Sequence, residues 1–197
     1  MNMIIRKAHE KDSLKATKLI WTAIENCANA FAGSNDSRII EQKLNELFEV
    51  PYNRMSYEIC TIAEEDNEVI GAMITYPGQE KEELDKKIID RLIIENPKGS
   101  SGYDEFVKPI LEAREAFDDE YYIDSLAVDE NYRGQKIGTK LIAHAETLAK
   151  KKGFDKVSIL AEEYNTKACA LYRRLGFEDD CILVVSGHSY NHLVKKI

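Results

Sequence analysis

Along this chain, short runs in which apolar and polar residues alternate take turns with longer runs in which apolar residues recur every three or four positions. Tyr57 to Glu64 and Val69 to Tyr76 alternate as strands around the turn Glu65-Asp66-Asn67-Glu68, which predicts a hairpin ended by Pro77-Gly78. Met3 to Arg6 predicts a short first strand. Between that strand and the hairpin, Leu14, Thr17, Trp21 and Ile24 form a helical stripe behind a cap at Asp12. Ile39, Ile40, Leu44, Leu47 and Phe48 form a second stripe that stops at Pro51, with a loop over 29–36 between the two. After the hairpin, about 78–119 carries two more stripes, Leu84, Ile88, Ile89, Leu92, Ile93 and then Phe106, Val107, Ile110, Leu111, Phe117. Asn96-Pro97-Lys98-Gly99 breaks them into a helical hairpin.

The densest stretch follows. Tyr122, Asp124, Leu126 and Val128 fall on one face of a predicted strand, and Leu141, Ile142, Ala145, Leu148 and Ala149 then recur at helical spacing up to Gly153. Arg133-Gly134-Gln135-Lys136-Ile137-Gly138-Thr139 joins strand to helix. Such a turn aims several unpaired amide N–H groups and the positive end of the helix dipole at one point, which suits a phosphate. Val157 to Ala161 reads as a buried strand, and Asn165 to Phe177 as a helix ended by Gly176. Two antiparallel strands, from Cys181 to Ser186 and from Tyr190 to Lys195, close the sequence.

The turn at 133–139, together with Asn165-x-x-Ala168-x-x-Leu171-Tyr172-x-x-x-Gly176-Phe177, resembles the GCN5-related N-acetyltransferase (GNAT) family. In the first motif Arg133 and Gly138 match, while Lys136 stands where the family has its middle glycine; ordinary backbone angles at Lys136 would make this departure tolerable. The resemblance implies one domain over 1–197, with a mixed α/β, mostly antiparallel central sheet flanked by helices, and the helical insertion of about 78–119 before the fourth strand is this chain's departure from it. It implies that acetyl-CoA is the cosubstrate. Its diphosphate would lie on Arg133, Gly134, Gln135, Lys136, Ile137, Gly138 and Thr139, and its pantetheine arm beside Leu126, Ala127, Val128, Asn165, Ala168 and Tyr172. Tyr172 matches the phenol that protonates the leaving thiolate. Asp124 and Tyr122, on the Leu126/Val128 face, and His192 in the last strand are candidates for the base that frees an amine for direct attack, with no covalent intermediate and no metal. A domain of the same fold that only senses acyl-CoA is the competing reading. Dinucleotide binding is disfavoured, because no Gly-x-Gly-x-x-Gly follows a first strand.

Composition narrows the partners. A net charge of −8 argues against nucleic acid and suits a cationic amine. Thirteen acidic against seven basic residues over 77–120 make the insertion a candidate acidic lid. Cys27, Cys60, Cys169 and Cys181 lack C-x-x-C spacing and read as buried free thiols, without a zinc site. No apolar run is long enough to span a bilayer, and charge at Arg6-Lys7 precedes any signal-like core, so a cytoplasmic location is expected. The late strands offer an edge on which two copies could pair as a homodimer.

Overall fold

The computed structural model describes residues 3–25 and 27–197. Its strands are β1 (Ile4–Lys7), β2 (Cys60–Glu65), β3 (Glu68–Pro77), β4 (Tyr121–Val128), β5 (Lys156–Glu162), β6 (Glu178–Val185) and β7 (His188–Lys196). They form one sheet in the order β1-β2-β3-β4-β5-β7-β6. Every neighbouring pair is antiparallel except β4 and β5, which run parallel.

Helices cover both faces and give the sheet two cores. On one face lie α1 (Ser13–Ile24), α2 (Ala28–Ala32), α3 (Ser37–Glu49), α4 (Lys81–Glu95) and α5 (Lys108–Glu112). Ile20, Phe31, Leu44, Phe48, Ile88 and Leu92 bury there against Ile62, Ile74, Tyr76 and Tyr122. On the other face, α6 (Ile137–Lys151) and α7 (Thr166–Arg174) bury Leu141, Ile142, Ala145 and Tyr172 against Met73, Ile123, Val157 and Leu193. None of the helices is long and apolar enough to cross a membrane among the described residues.

Three local expectations change. The buried stripe of α1 is Ala16, Thr17 and Ile20, whereas Leu14 is 71% exposed, because the apolar residues of that helix cover more than one face. Asp12 does not cap α1 with its side chain. It accepts from the His9 N–H at 2.8 Å and pairs with Arg6 at 2.8 Å, fastening the helix to β1. The stretch 29–36 is not all loop, since α2 occupies its beginning and seats Phe31 in the core.

The insertion is helical, as its stripes predict, but its second half is short. A π-helical turn, Tyr103–Val107, leads into α5, and Phe117 lies beyond the helix. Residues 113–120 then return toward β4 through a turn at 117–120, and the Gly78 N–H donates to the Glu120 carbonyl at 2.8 Å. A Cβ at Gly78 would sit 2.1 Å from the Phe117 carbonyl oxygen. Gly78→Ala is therefore expected to cost about 1–3 kcal/mol by overpacking, read as a lower midpoint of urea unfolding. An unchanged midpoint would mean that the return segment is not held against β3.

Candidate active site

The parallel contact between β4 and β5 lasts for three register pairs, Tyr121 with Val157, Tyr122 with Ser158 and Ile123 with Ile159. Past Ile123, β4 follows β3 alone, and past Ile159, β5 follows β7 alone. The strands thus diverge. A cavity of about 290 Å³ opens where they part, and Asp124, Leu126, Glu162, Asn165, Tyr172 and Tyr190 are among its walls.

The ladder irregularity between Ile74 and Thr75 leaves Asp124 as an extra residue in β4. Such a bulge shifts the inward-outward alternation by one. Tyr122 packs in the core under α1, whereas Leu126 and Val128 pack toward α6 and α7, so Tyr122, Asp124, Leu126 and Val128 do not share one face as the alternation predicts. The Asp129 N–H donates to Ile70 of β3 at 2.9 Å. Counting back by twos, the Ala127 amide also faces β3, while those of Val128 and Leu126 face the gap. Ala127 is buried and lines neither cavity, so of these three expected contacts the structure brings Leu126 and Val128 to the site.

A second cavity of about 360 Å³ adjoins the start of α6 and is lined by Val128, Arg133, Gly134, Lys136, Gly138 and Thr139, among others. Gln135 is exposed on the same turn, and Ile137 lines the cavity while burying its side chain. The residue that opens α6, Lys136, offers no side-chain cap, so the first amides of the helix face outward with the dipole behind them. Lys136 does not have ordinary backbone angles. At φ 63° and ψ 18° it adopts the left-handed conformation that the family fills with glycine, a geometry costing a lysine about 1–2 kcal/mol. Its side chain is exposed, where an ammonium can meet a phosphate.

Helix α7 forms the opposite wall. Asn165 caps it, the side-chain oxygen accepting from the Ala168 N–H at 3.1 Å, while Asn165 and Ala168 both line the first cavity. Tyr172 is 8% exposed, and burial pushes its phenol up to about 12. Its ring lies 5.9 Å from that of Phe177.

Of the proposed bases, Tyr122 lies in the core, and the other two fare differently. Asp124 reaches the cavity, but its carboxylate is tied to Arg54, with Nη2 at 2.6 Å and Nε at 3.3 Å. Arg54 also bonds Glu115 and lies 3.6 Å from Asp85, which in turn takes Lys81 at 2.7 Å. Burial opposes the charge of Arg54, but Asp124 and Glu115 outweigh it and hold the guanidinium charged. His192 is not at the cavity. It is fully buried, with Nε2 3.0 Å from Glu120 and Nδ1 3.1 Å from Asp180, beneath the Phe117 ring. The alternation along β7 does not reveal which neighbour covers a residue, so a histidine near Tyr190 could not be told from one facing the pocket. The thiols also divide: Cys60 and Cys169 are buried, whereas Cys27 is only partly covered and Cys181 is exposed.

The sequence reading passed over Arg54, Glu115 and Glu162. Arg54 lies in a segment without periodicity, Glu115 falls between the apolar positions of the second stripe of the insertion, and Glu162 ends β5 beside Tyr190, whose hydroxyl donates to it at 3.2 Å.

The chain belongs to the GNAT acetyltransferase family, whose model matches residues 21–177. Over 58 residues it is 38% identical to thialysine N-epsilon-acetyltransferase of Mus musculus, a match covering 29% of this chain and 34%, about a third, of the relative's length. The N-acetyltransferase from Staphylococcus aureus Mu50 aligns with a TM-score of 0.76 at 25% identity, over 97% of this chain and 99% of that one. The PaiA N-acetyltransferase from Thermoplasma acidophilum, in complex with coenzyme A, shares the fold with a TM-score of 0.56 at 17% identity, over 100% of both chains.

Around Arg54, three carboxyl groups (Asp85, Glu115, Asp124) face two cations (Arg54, Lys81), and burial raises the pKa of Glu115 despite the guanidinium beside it. A carboxyl whose folded pKa exceeds its unfolded value holds a proton that the unfolded chain releases, so stability is lost as pH rises from the unfolded value through the folded one. Wild type is expected to lose stability relative to Glu115→Gln as pH rises from the unfolded glutamate value of about 4.3 toward neutrality. Urea unfolding of both proteins across that range checks it, and a constant difference would mean that Glu115 is ionised throughout.

Proposed function

We propose that this protein is an N-acetyltransferase that moves the acetyl group of acetyl-CoA onto a primary amine of a small cationic molecule by direct attack. One observation carries the reading. Neighbouring positions on each wall serve both cavities: Leu126 and Tyr172 line the one at the strand gap, Val128 and Leu171 the one at the α6 terminus. A single extended ligand with an anionic end and a thioester end fits across them.

In this reading the α6 amides, Arg133 and Lys136 take the diphosphate. The Leu126 and Val128 amides, turned away from β3, bond the pantetheine arm and polarise the thioester carbonyl as negative charge develops on its oxygen. The amine attacks the carbonyl carbon, and the C–S bond breaks as the tetrahedral intermediate collapses. Tyr172 stands at this point. At about 12 its phenol stays protonated at neutral pH, but it is then a weaker acid than a free thiol by roughly 3 units. Its contribution is therefore a hydrogen bond to the developing thiolate, with the proton passing only as charge builds on sulfur.

Asp124 serves as part of the wall, held by Arg54, and Glu162 is the cavity carboxylate we assign to draw in the ammonium and accept its proton. Glu25 at the same mouth adds negative charge. The acidic lining, and the likeness to the mouse thialysine N-epsilon-acetyltransferase, favour a cationic acceptor.

Tyr172→Phe is expected to lower kcat about 100-fold while acetyl-CoA affinity, measured by calorimetry, stays within about twofold. Full activity in this variant would remove the assigned donor, and an absence of turnover in wild type would leave a sensor of acyl-CoA. Across a panel of amines monitored by CoA release, diamines and lysine analogues should give the highest kcat/KM. A preference for neutral or acidic acceptors would overturn the cationic assignment.

A further inference from the structure

The outer edge of the sheet gathers a second set of chemically active side chains. In the β6–β7 ladder Cys181 stands opposite His192, and the register shift between Asp179 and Cys181 makes Asp180 the extra residue of a bulge. A bulge re-aims consecutive side chains, and here Asp180 and Cys181 both turn toward the imidazole. One donor atom from each of Asp180, Cys181 and His192 lies within 4.8 Å of the others. None of the three lines the cavities of the acetyl-transfer site.

The histidine is prepared on its far side. Its Nε2 lies 3.0 Å from Glu120, which is 1% exposed and also accepts from the Phe117 N–H at 3.0 Å. A carboxylate at that position holds the proton on Nε2 and turns the Nδ1 lone pair the other way, the usual support of a metal-bound histidine. That lone pair faces the Asp180 carboxylate at 3.1 Å. Two electron-rich acceptors at this distance need either a proton or a metal cation between them. Bond lengths of about 2.0–2.3 Å in a tetrahedral site set its donors a little over 3 Å apart, so Asp180 and His192 are spaced for one and a rotation of Cys181 completes the trio.

We propose that Asp180, Cys181 and His192 bind a zinc ion at the outer edge of the sheet, with Glu120 orienting the histidine. Thiolate, imidazole and carboxylate together suit Zn²⁺ better than magnesium or calcium, which want oxygen donors alone. Three protein ligands leave a fourth position, and a cleft of about 400 Å³ lined by Glu178, Asp180 and Lys196 adjoins it. The ion ties the β6–β7 hairpin, through Glu120, to the return segment of the insertion. Ten residues lie between Cys181 and His192, so the pairing comes from strand register and no spacing rule reveals it.

Titration of the untagged, chelator-stripped full chain with Co²⁺ tests the site. One equivalent should give a thiolate-to-cobalt charge-transfer band with the visible bands of a tetrahedral ion, and Zn²⁺ should bleach both. Cys181→Ser should abolish the charge-transfer band, and Asp180→Asn should weaken Zn²⁺ at least about tenfold. Both positions are solvent-facing, and unchanged acetyl-CoA affinity confirms that each variant is folded. The proposal falls if wild type shows no such band, if the band survives in Cys181→Ser, or if Asp180→Asn binds Zn²⁺ as wild type does. The trio would then be an ion pair between His192 and its two carboxylates.

Discussion

Two parallel strands that meet for three residues and then part impose the constraint from which the site follows. Backbone groups that leave a ladder inside a protein must find other partners, because an orphaned buried N–H costs as much as a lost hydrogen bond. In β4 the amides of Leu126 and Val128 are in that position, and in the proposed function an amide-bearing ligand arm is their partner. The divergence is built in by the bulge at Asp124, the residue at which β4 stops pairing with β5. Arg54 holds that residue in place, so a buried guanidinium that lines neither cavity helps to fix where the strands separate.

Much of this was legible in the sequence where local pattern and tertiary demand agree. The β2–β3 hairpin, the α6 stripe, the Asn165 cap and the paired final strands follow from alternation, helical spacing and turn chemistry, and the structure contains them. The α7 motif was legible for a different reason, since its residues pack against the sheet and line the cavity at once, which leaves little freedom at Ala168 or Tyr172. What the pattern hid depends on geometry between segments. One inserted residue at Asp124 reverses a strand face, and no composition rule marks it. Arg54 and Glu115 join across a sequence separation of 61, a pairing that no local period encodes. His192 looked available because alternation gives a side without naming what covers it.

Lys136 shows how a motif can be broken in letters and kept in shape. A glycine there would adopt the left-handed angles without strain, but it would also loosen the unfolded chain by about 0.4–1 kcal/mol. That term offsets a good part of the 1–2 kcal/mol a lysine spends on the conformation. The remaining cost is small, and it leaves a positive charge beside the amides at the opening of α6.

The Arg54 network also gives the wall of the acetyl-transfer cavity its own response to heat. Charged groups hydrate less favourably as temperature rises, so the penalty for keeping Arg54, Asp85 and Asp124 away from water shrinks on warming. The apolar cores on either side follow a different curve, with their stabilisation per unit area levelling off. Warming therefore favours the charged partition over its greasy surroundings. The shape of the pocket is expected to outlast looser packing elsewhere in the sheet as the protein approaches its melting point.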